Sequence, residues 1–382
     1  MSVGSTELPD KSGRRTLGLI VNPVAGLGGR VGLKGTDGRE VVQRALELGA
    51  TPVAPARAER ALVRLERHRE GLTVVAAAHV MGGDAAAAHG FEPELVDVSG
   101  ETTAADTRFA ATEMERRGVD LILYAGGDGT TRDIVDAVGT RVPILGIPTG
   151  VKMHSGVFAT SPEAAGDLAA ARFELGEAEV MDVDEAALRE GRVSARLYGV
   201  ATVPRDRARV QHPKAGSRPG DAALEALCRE LAAEASEGLT LFGPGTTTKR
   251  VLSHLGLEAT LLGIDAVENG KLVGLDLSEA QLLELLGSDS GDHGRAARIV
   301  VSVVGGQGYV LGRGNQQLSP EVIRRAGLEN LVVVASLGKL LSLDPQRLLV
   351  DTGDVSLDRE LTGYRRVRVA PGHTVVFPME AT

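Results

Sequence analysis

Three glycines surround one acid in the stretch Tyr124-Ala125-Gly126-Gly127-Asp128-Gly129-Thr130-Thr131, where an aliphatic run gives way to a helical pattern. Gly126, Gly127 and Gly129 leave the backbone bare and able to take positive φ, so that several N–H groups can converge on one anion at the positive end of the next helix. Phosphate meets that description. Asp128 is the informative exception, because a carboxylate among phosphate oxygens is repelled unless a cation or a proton lies between them. It is expected to face Mg²⁺ or the hydroxyl of a phosphate acceptor. As a base on that hydroxyl it would serve phosphoryl transfer, in which positioning and electrostatics carry the catalysis. The alternative is a plain βα turn with the acid or a threonine capping the helix.

A second Gly-rich turn, Asn22-Pro23-Val24-Ala25-Gly26-Leu27-Gly28-Gly29-Arg30, supports the phosphate reading. Asn22, Gly26, Gly28 and Gly29 supply backbone and amide groups, and Arg30 and Lys34 supply positive charge for a triphosphate. Neither the dinucleotide fingerprint nor the P-loop pattern fits this turn. A third, Gly146-Ile147-Pro148-Thr149-Gly150-Val151-Lys152-Met153-His154-Ser155-Gly156, also follows an aliphatic run. Loops at the carboxyl ends of neighbouring parallel strands share one crevice, so Thr149, Gly150 and Lys152 are expected at the phosphates and His154 at the acceptor.

The second half carries Gly245, Thr246, Thr247, Thr248 and Lys249 ahead of a helical Val251 to Leu255, a polar cradle for an acceptor's ribose or phosphate. Arg313 and Asn315, after Gly305-Gly306-Gln307-Gly308, are further acceptor candidates. Asp289, Asp292 and His293 stand in a Gly and Ser loop with no helical register to aim them, so no protein metal site is assigned and Mg²⁺ is expected on the phosphates of ATP. The basic stretch Arg205 to Asp221 reads as a solvated connection or a lid.

These turns need a scaffold of strands and helices. Leu17 to Val21, Thr73 to Ala77, Leu121 to Ala125 and Pro143 to Ile147 are continuous aliphatic runs, the pattern of a parallel sheet buried on both faces. Helical patterns alternate with them at Val41 to Leu48, Pro52 to Glu70, Ala104 to Arg117, Thr131 to Val138 and Pro162 to Phe173, the last with Ser161 as N-cap. Ala85 to Ala88 reads as an Ala-rich loop. This is an α/β chain with a Rossmann-like amino-terminal domain and a second, mixed α/β domain. Strands at Val180 to Val183 and Arg192 to Val203 mark a change of texture near Gly176. The expected domains are therefore 1–175, which binds the nucleoside triphosphate, and 176–382, which binds the acceptor and forms oligomer contacts. The second contains the helix Ala222 to Ser236, strands Leu239 to Phe242, Arg298 to Val304 and Leu331 to Ser336, and a hairpin from Tyr364 to Phe377.

A length of 382 residues suits two cores. A formal charge of -9 argues against a surface for nucleic acid or anionic lipid, which needs clustered Lys and Arg, and leaves small molecules as partners. The single cysteine, Cys228, forms no internal disulfide, and Met1 to Arg15 lacks the apolar stretch of a signal peptide; both point to a cytoplasmic protein. No run approaches the ~18 apolar residues of a membrane span.

Taken together, Asn22-Pro23 with its glycines, Gly126-Gly127-Asp128-Gly129-Thr130 and Pro148-Thr149-Gly150-Val151-Lys152-Met153-His154-Ser155 resemble the ATP-NAD kinase family, within the superfamily that also holds diacylglycerol and sphingosine kinases. Gly245-Thr246-Thr247-Thr248 and Gly305 to Gln317 resemble the branch near the acetoin-cluster protein AcoX. The resemblance implies an ATP- and Mg²⁺-dependent kinase, NAD kinase-like in turning NAD into NADP, with ATP at Gly126 to Thr130 and Asp128 activating the acceptor hydroxyl. It also implies an active site between the two domains and a homo-oligomer. Well-studied NAD kinases hold the NAD ribose with an Asn-Glu pair; Leu197-Tyr198-Gly199-Val200-Ala201-Thr202 lacks it here, so another nucleoside, nucleotide or metabolite alcohol is the alternative acceptor. A nucleotide-binding regulatory protein without turnover is a third reading, against which the charge of Asp128 argues.

Overall fold

The aliphatic runs of the first half become strands β1 (Arg15–Val21), β2 (Leu72–Ala77), β3 (Glu94–Val96), β4 (Leu121–Gly126) and β5 (Ile144–Pro148). The computed structural model describes residues 14–33, 39–99, 102–150, 153–183, 195–206, 210, 222–287, 296–304 and 306–382. All five strands are parallel, in the order β3-β2-β1-β4-β5. The helices of this half are α1 (Arg39–Glu47), α2 (Ala54–Leu65), α3 (Gly83–Ala88), α4 (Ala104–Arg116), α5 (Asp128–Val138) and α6 (Pro162–Ala170).

Side chains alternate across a strand, and both faces of this sheet are covered. Leu17, Leu19 and Val21 of β1 pack with Leu121 and Leu123 of β4 against α2 and α6. Ile20, Ile122 and Tyr124 pack on the opposite face against Met114 of α4 and Ile134 of α5. α2 and α6 are clamped outside by Arg60–Glu163 and Arg64–Asp167, each a two-bond guanidinium–carboxylate pair. The stretch expected to be an Ala-rich loop is instead α3, because alanine has the highest helix propensity and Ala86 packs into the core.

The described residues fall into two units. Among those residues, the first unit draws on segments up to Leu27, from Thr51 to Val183 and from Ala195, and the second on Gly28 to Ala50 and on the chain from Ala222. Gly176, where the change of texture lies, is inside β6 (Leu175–Val183), which pairs antiparallel with β7 (Ala195–Pro204). Val180, Ala201 and Val203 are buried in the first unit's core, which holds this ribbon there. The segment Gly28–Ala50, with α1, belongs to the second unit.

The second unit is built on one nine-stranded mixed sheet, ordered β10-β9-β8-β11-β13-β15-β16-β14-β12. Its strands are β8 (Leu239–Phe242), β9 (Asp265–Glu268), β10 (Lys271–Gly274), β11 (Ala297–Ser302), β12 (Tyr309–Leu311), β13 (Leu331–Val334), β14 (Leu348–Val350), β15 (Gly363–Ala370) and β16 (His373–Ala381). β8, β11, β13 and β15 run parallel, and β15–β16 is the expected hairpin. One face carries α7 (Ala222–Glu234) and α8 (Thr246–His254). The other carries α9 (Glu279–Leu286), α10 (Pro320–Ala326) and α12 (Val355–Leu361), with the short α11 (Leu337–Leu341) between the last two in sequence. The short strands β9, β10, β12 and β14 were not among those expected from the sequence.

Helix α4 shows how local chemistry sets an element boundary. Asp106 accepts from Thr103 N–H and from the hydroxyls of Thr103 and Ser99, while the Thr103 hydroxyl accepts from Asp106 N–H, a reciprocal capping box. The Ser99 hydroxyl, then the Thr103 and Ser99 backbone bonds, hold the carboxyl well below the usual range. A group whose folded value is depressed adds stability above its unfolded value and loses it as pH falls towards the folded one. Asp106→Ala is therefore expected to destabilise the fold by about 1 kcal/mol at neutral pH. In denaturant titrations the gap to wild type should shrink as pH drops below ~3.9; a gap that stays constant with pH would rule the cap out as its source.

Candidate active site

In the first unit β1 is followed in the chain by its neighbour β2 on one side, and β4 by its neighbour β5 on the other. The carboxyl ends of β1 and β4 therefore meet at a topological switch point, where loops diverge and a crevice opens in doubly wound sheets. Both Gly-rich turns begin there.

The turn after β4 is shaped by close approach. Gly127 is extended, with φ −110°, and α5 begins directly at Asp128. None of Gly126, Gly127 and Gly129 takes positive φ, contrary to the expectation from composition. A Cβ on Gly126 would sit 2.5 Å from Cβ of Thr130, which is why that position has no side chain. Thr131 N–H and Oγ1 both donate to Gly127 C=O, at 3.0 and 3.1 Å. Behind the turn Thr131 Oγ1 lies 2.5 Å from Tyr124 OH, whose phenol is fully buried; that burial pushes its pKa well above the ordinary value. No side chain caps α5, so the first-turn N–H groups, at the positive end of an eleven-residue helix, are not taken by Asp128 or a threonine.

The loop after β1 is tied to this turn. Asn22 N–H donates to Ala125 C=O at 2.9 Å, Asn22 Nδ2 donates to Thr130 Oγ1 at 2.9 Å, and Asn22 Oδ1 accepts from Val24 N–H. The loop then reaches the end of β5: Gly26 has φ +79°, a Cβ there would lie 2.0 Å from Thr149 C=O, and a Cβ on Gly150 would lie 3.1 Å from Gly26 Cα. Thr149 is 2% exposed, and its hydroxyl has no hydrogen-bond partner among the described residues. Arg57 of α2, which the sequence reading missed, donates Nη1 to Pro148 C=O at 3.3 Å and brings a cation to the same loop.

Asp128 itself is 7% exposed. Oδ1 accepts from Ser155 N–H at 3.0 Å and Ser155 Oγ at 2.6 Å; Oδ2 accepts from His154 N–H at 2.7 Å and lies 3.2 Å from His154 Nδ1. Ser155 is fully buried, and its Oγ also accepts from Met181 N–H of β6. The expected open approach of the carboxylate to a hydroxyl is thus filled by the chain's own segment 154–155. Ser155 and Tyr124 were not singled out from sequence, since neither is marked by its neighbours.

Gly28, Gly29 and Arg30 belong to the second unit, where Leu33 N–H donates to Gly28 C=O, Gly32 N–H to Gly29 C=O and Glu279 N–H, at the start of α9, to Arg30 C=O. In that unit Gly245 is the N-cap of α8, which starts at Thr246, earlier than the expected Val251. Thr246 is exposed, Lys249 half-buried, Thr247 and Thr248 buried, and Thr248 Oγ1 donates to Gly245 C=O at 3.0 Å. Arg313, expected at the acceptor, is buried over the Tyr309 ring with Nη2 3.2 Å from Tyr309 OH and 3.8 Å from Asp351. Asn315 bridges Gly312 N–H and Val310 C=O. Both take part in the loop's own framework. Lys34, Lys152, the trio Asp289, Asp292 and His293, and most of 205–221 lie outside the described residues.

The comparisons with known proteins fit this geometry. The ATP-NAD kinase N-terminal domain matches residues 17–178 and the ATP-NAD kinase C-terminal domain matches residues 236–379. The chain belongs to the ATP-NAD kinase family. It is accordingly an ATP-dependent kinase. The second match begins after α7 and spans α9 and nearly all of the nine-stranded sheet. No match is found among curated proteins. Among the described residues no helix is long and apolar enough to cross a membrane, and no group of three or more His, Cys, Asp or Glu side chains is placed to hold a metal.

Gly26→Ala tests the contact between the loops. With φ +79° and a Cβ 2.0 Å from Thr149 C=O, the variant is expected to lose at least about 1–2 kcal/mol of stability and to raise KM for ATP. An unchanged melting temperature together with unchanged KM would show that the two loops need not touch.

Proposed function

We propose that the protein transfers the γ-phosphoryl group of ATP to a hydroxyl of a small nucleotide, with NAD as the first acceptor and NADP as the product. The observation that carries this is the convergence of the turns after β1, β4 and β5 on the uncapped amino terminus of α5, with the charge of Asp128 inside it. Bare N–H groups, the Thr149 hydroxyl and Arg57 suit the triphosphate. Mg²⁺ would enter with the nucleotide, on its phosphates. Asp128 supplies the negative charge against which the acceptor hydroxyl is deprotonated as it attacks phosphorus.

One observation favours a different acceptor of the same chemistry. In β7, where the family's well-studied members carry the ribose-holding Asn-Glu pair, Tyr198 OH donates to Asp136 at 2.5 Å, Thr202 Oγ1 donates to Thr140 C=O at 2.8 Å, and Leu197 is exposed. Tyr198 and Thr202 tie the ribbon to α5 and to the turn after it, and none of the three side chains offers a carboxylate to a ribose.

Incubation with ATP, Mg²⁺ and, separately, NAD or a panel of nucleosides, nucleotides and polyols, followed by product analysis, decides between the two. NADP formation is expected; phosphorylation of another acceptor with none of NAD would give the second reading. Asp128→Asn should bind ATP normally and lose about 10²–10⁴-fold in turnover. Equal turnover in that variant would remove Asp128 from the chemistry.

A further inference from the structure

An ionised carboxylate only accepts hydrogen bonds, and it has about four lone-pair sites. Asp128 has four donors: two backbone N–H groups, the Ser155 hydroxyl and Nδ1 of His154. A substrate hydroxyl would have to displace one of them to reach either oxygen. Because the carboxylate cannot donate, the hydrogen on the 3.2 Å contact belongs to His154 Nδ1. That assigns the neutral imidazole its tautomer and leaves the lone pair on Nε2. Among the described residues Nε2 has no hydrogen-bond partner, and the side chain keeps 12% of its surface exposed.

We infer that the acceptor's proton is taken by Nε2 of His154, and that Asp128 is the positioning residue that orients the imidazole and balances its charge once protonated. A carboxylate on one ring nitrogen with a substrate proton on the other is the geometry by which a histidine is made a directed base. The inference rests on the kinase reading and places its proton. In the step, the acceptor oxygen forms its bond to the γ-phosphorus of ATP as its proton passes to Nε2. The bond from that phosphorus to the β,γ-bridging oxygen breaks, and ADP leaves with the electron pair. The imidazolium beside Asp128 then returns the proton to solvent. Among the described residues, the Arg132 guanidinium reaches Gly129 of this turn and Tyr124 lies buried behind Thr131, where burial keeps its phenol protonated.

His154→Asn tests this, since the asparagine amide can take the place of Nδ1–H on Asp128 but has no basic nitrogen. With ATP and the acceptor identified by product analysis, the expected result is kcat lower by about 10²–10⁴-fold, loss of the ascending limb of the pH profile, and KM for ATP within about threefold of wild type. In nitrogen-15 spectra of the wild-type imidazoles, with His154 assigned from the signals missing in the variant, the Nδ1–H tautomer is expected at alkaline pH. That tautomer should be lost in Asp128→Asn. Wild-type kcat in His154→Asn, or an Nε2–H tautomer in the wild-type protein, overturns the inference and leaves the kinase reading standing. Wild-type protein that phosphorylates none of the acceptors overturns both.

Discussion

A carboxylate removed from water costs several kcal/mol unless donors replace the solvent. At Asp128 the donors come from His154 and Ser155, twenty-six and twenty-seven residues further along the chain. Charge-assisted bonds contribute about 1.5–3 kcal/mol each, so four of them can offset the desolvation and hold the two segments in register. The same serine takes the Met181 N–H, which extends the hold to the β6–β7 ribbon. The amino terminus of α5, the loop beyond β5 and the ribbon are therefore one mechanical unit, and the rest of the site is arranged around it.

The other contacts at the switch point depend on the absence of side chains. Gly126 lets Thr130 fold back over the end of β4, and Thr130 then receives Asn22 from the loop after β1. Gly26 and Gly150 let two loops touch backbone to backbone. Each of these glycines removes a specific collision, whereas Gly129 meets only the far end of Arg132 at 3.8 Å and is not required by packing. The proposed phosphate site thus lies where side-chain bulk has been excluded, which suits an anion as large as a triphosphate.

The second unit uses polar residues differently. Arg313, Asp351 and Tyr309 form a buried cluster, and Asn315 closes the loop beside it, so residues that read as ligands in a linear sequence brace a turn at the edge of a nine-stranded sheet. Asp265 likewise accepts from Thr260 and Asp276, and burial, the larger influence, raises its carboxyl above the usual range.

Much of this protein was open to reading before any coordinates. The buried parallel strands, most of the first half's helices, the Ser161 cap, the Gly-Gly-Asp-Gly turn and the family all follow from local pattern, because periodicity and turn chemistry are properties of neighbouring residues. What the pattern could not carry is the set of partners. Asp128 is a carboxylate among glycines in the sequence, and nothing near it in the chain says that His154 and Ser155 fill all four of its acceptor sites. Arg313 is found over the Tyr309 ring beside Asp351, and Arg57, in the middle of an amphipathic helix, arrives at the end of β5. The sequence by itself determined which chemistry is available and on which turns. Only the tertiary structure decided which atoms remain open to a substrate, because hydrogen-bond saturation depends on groups that folding brings together from distant parts of the chain.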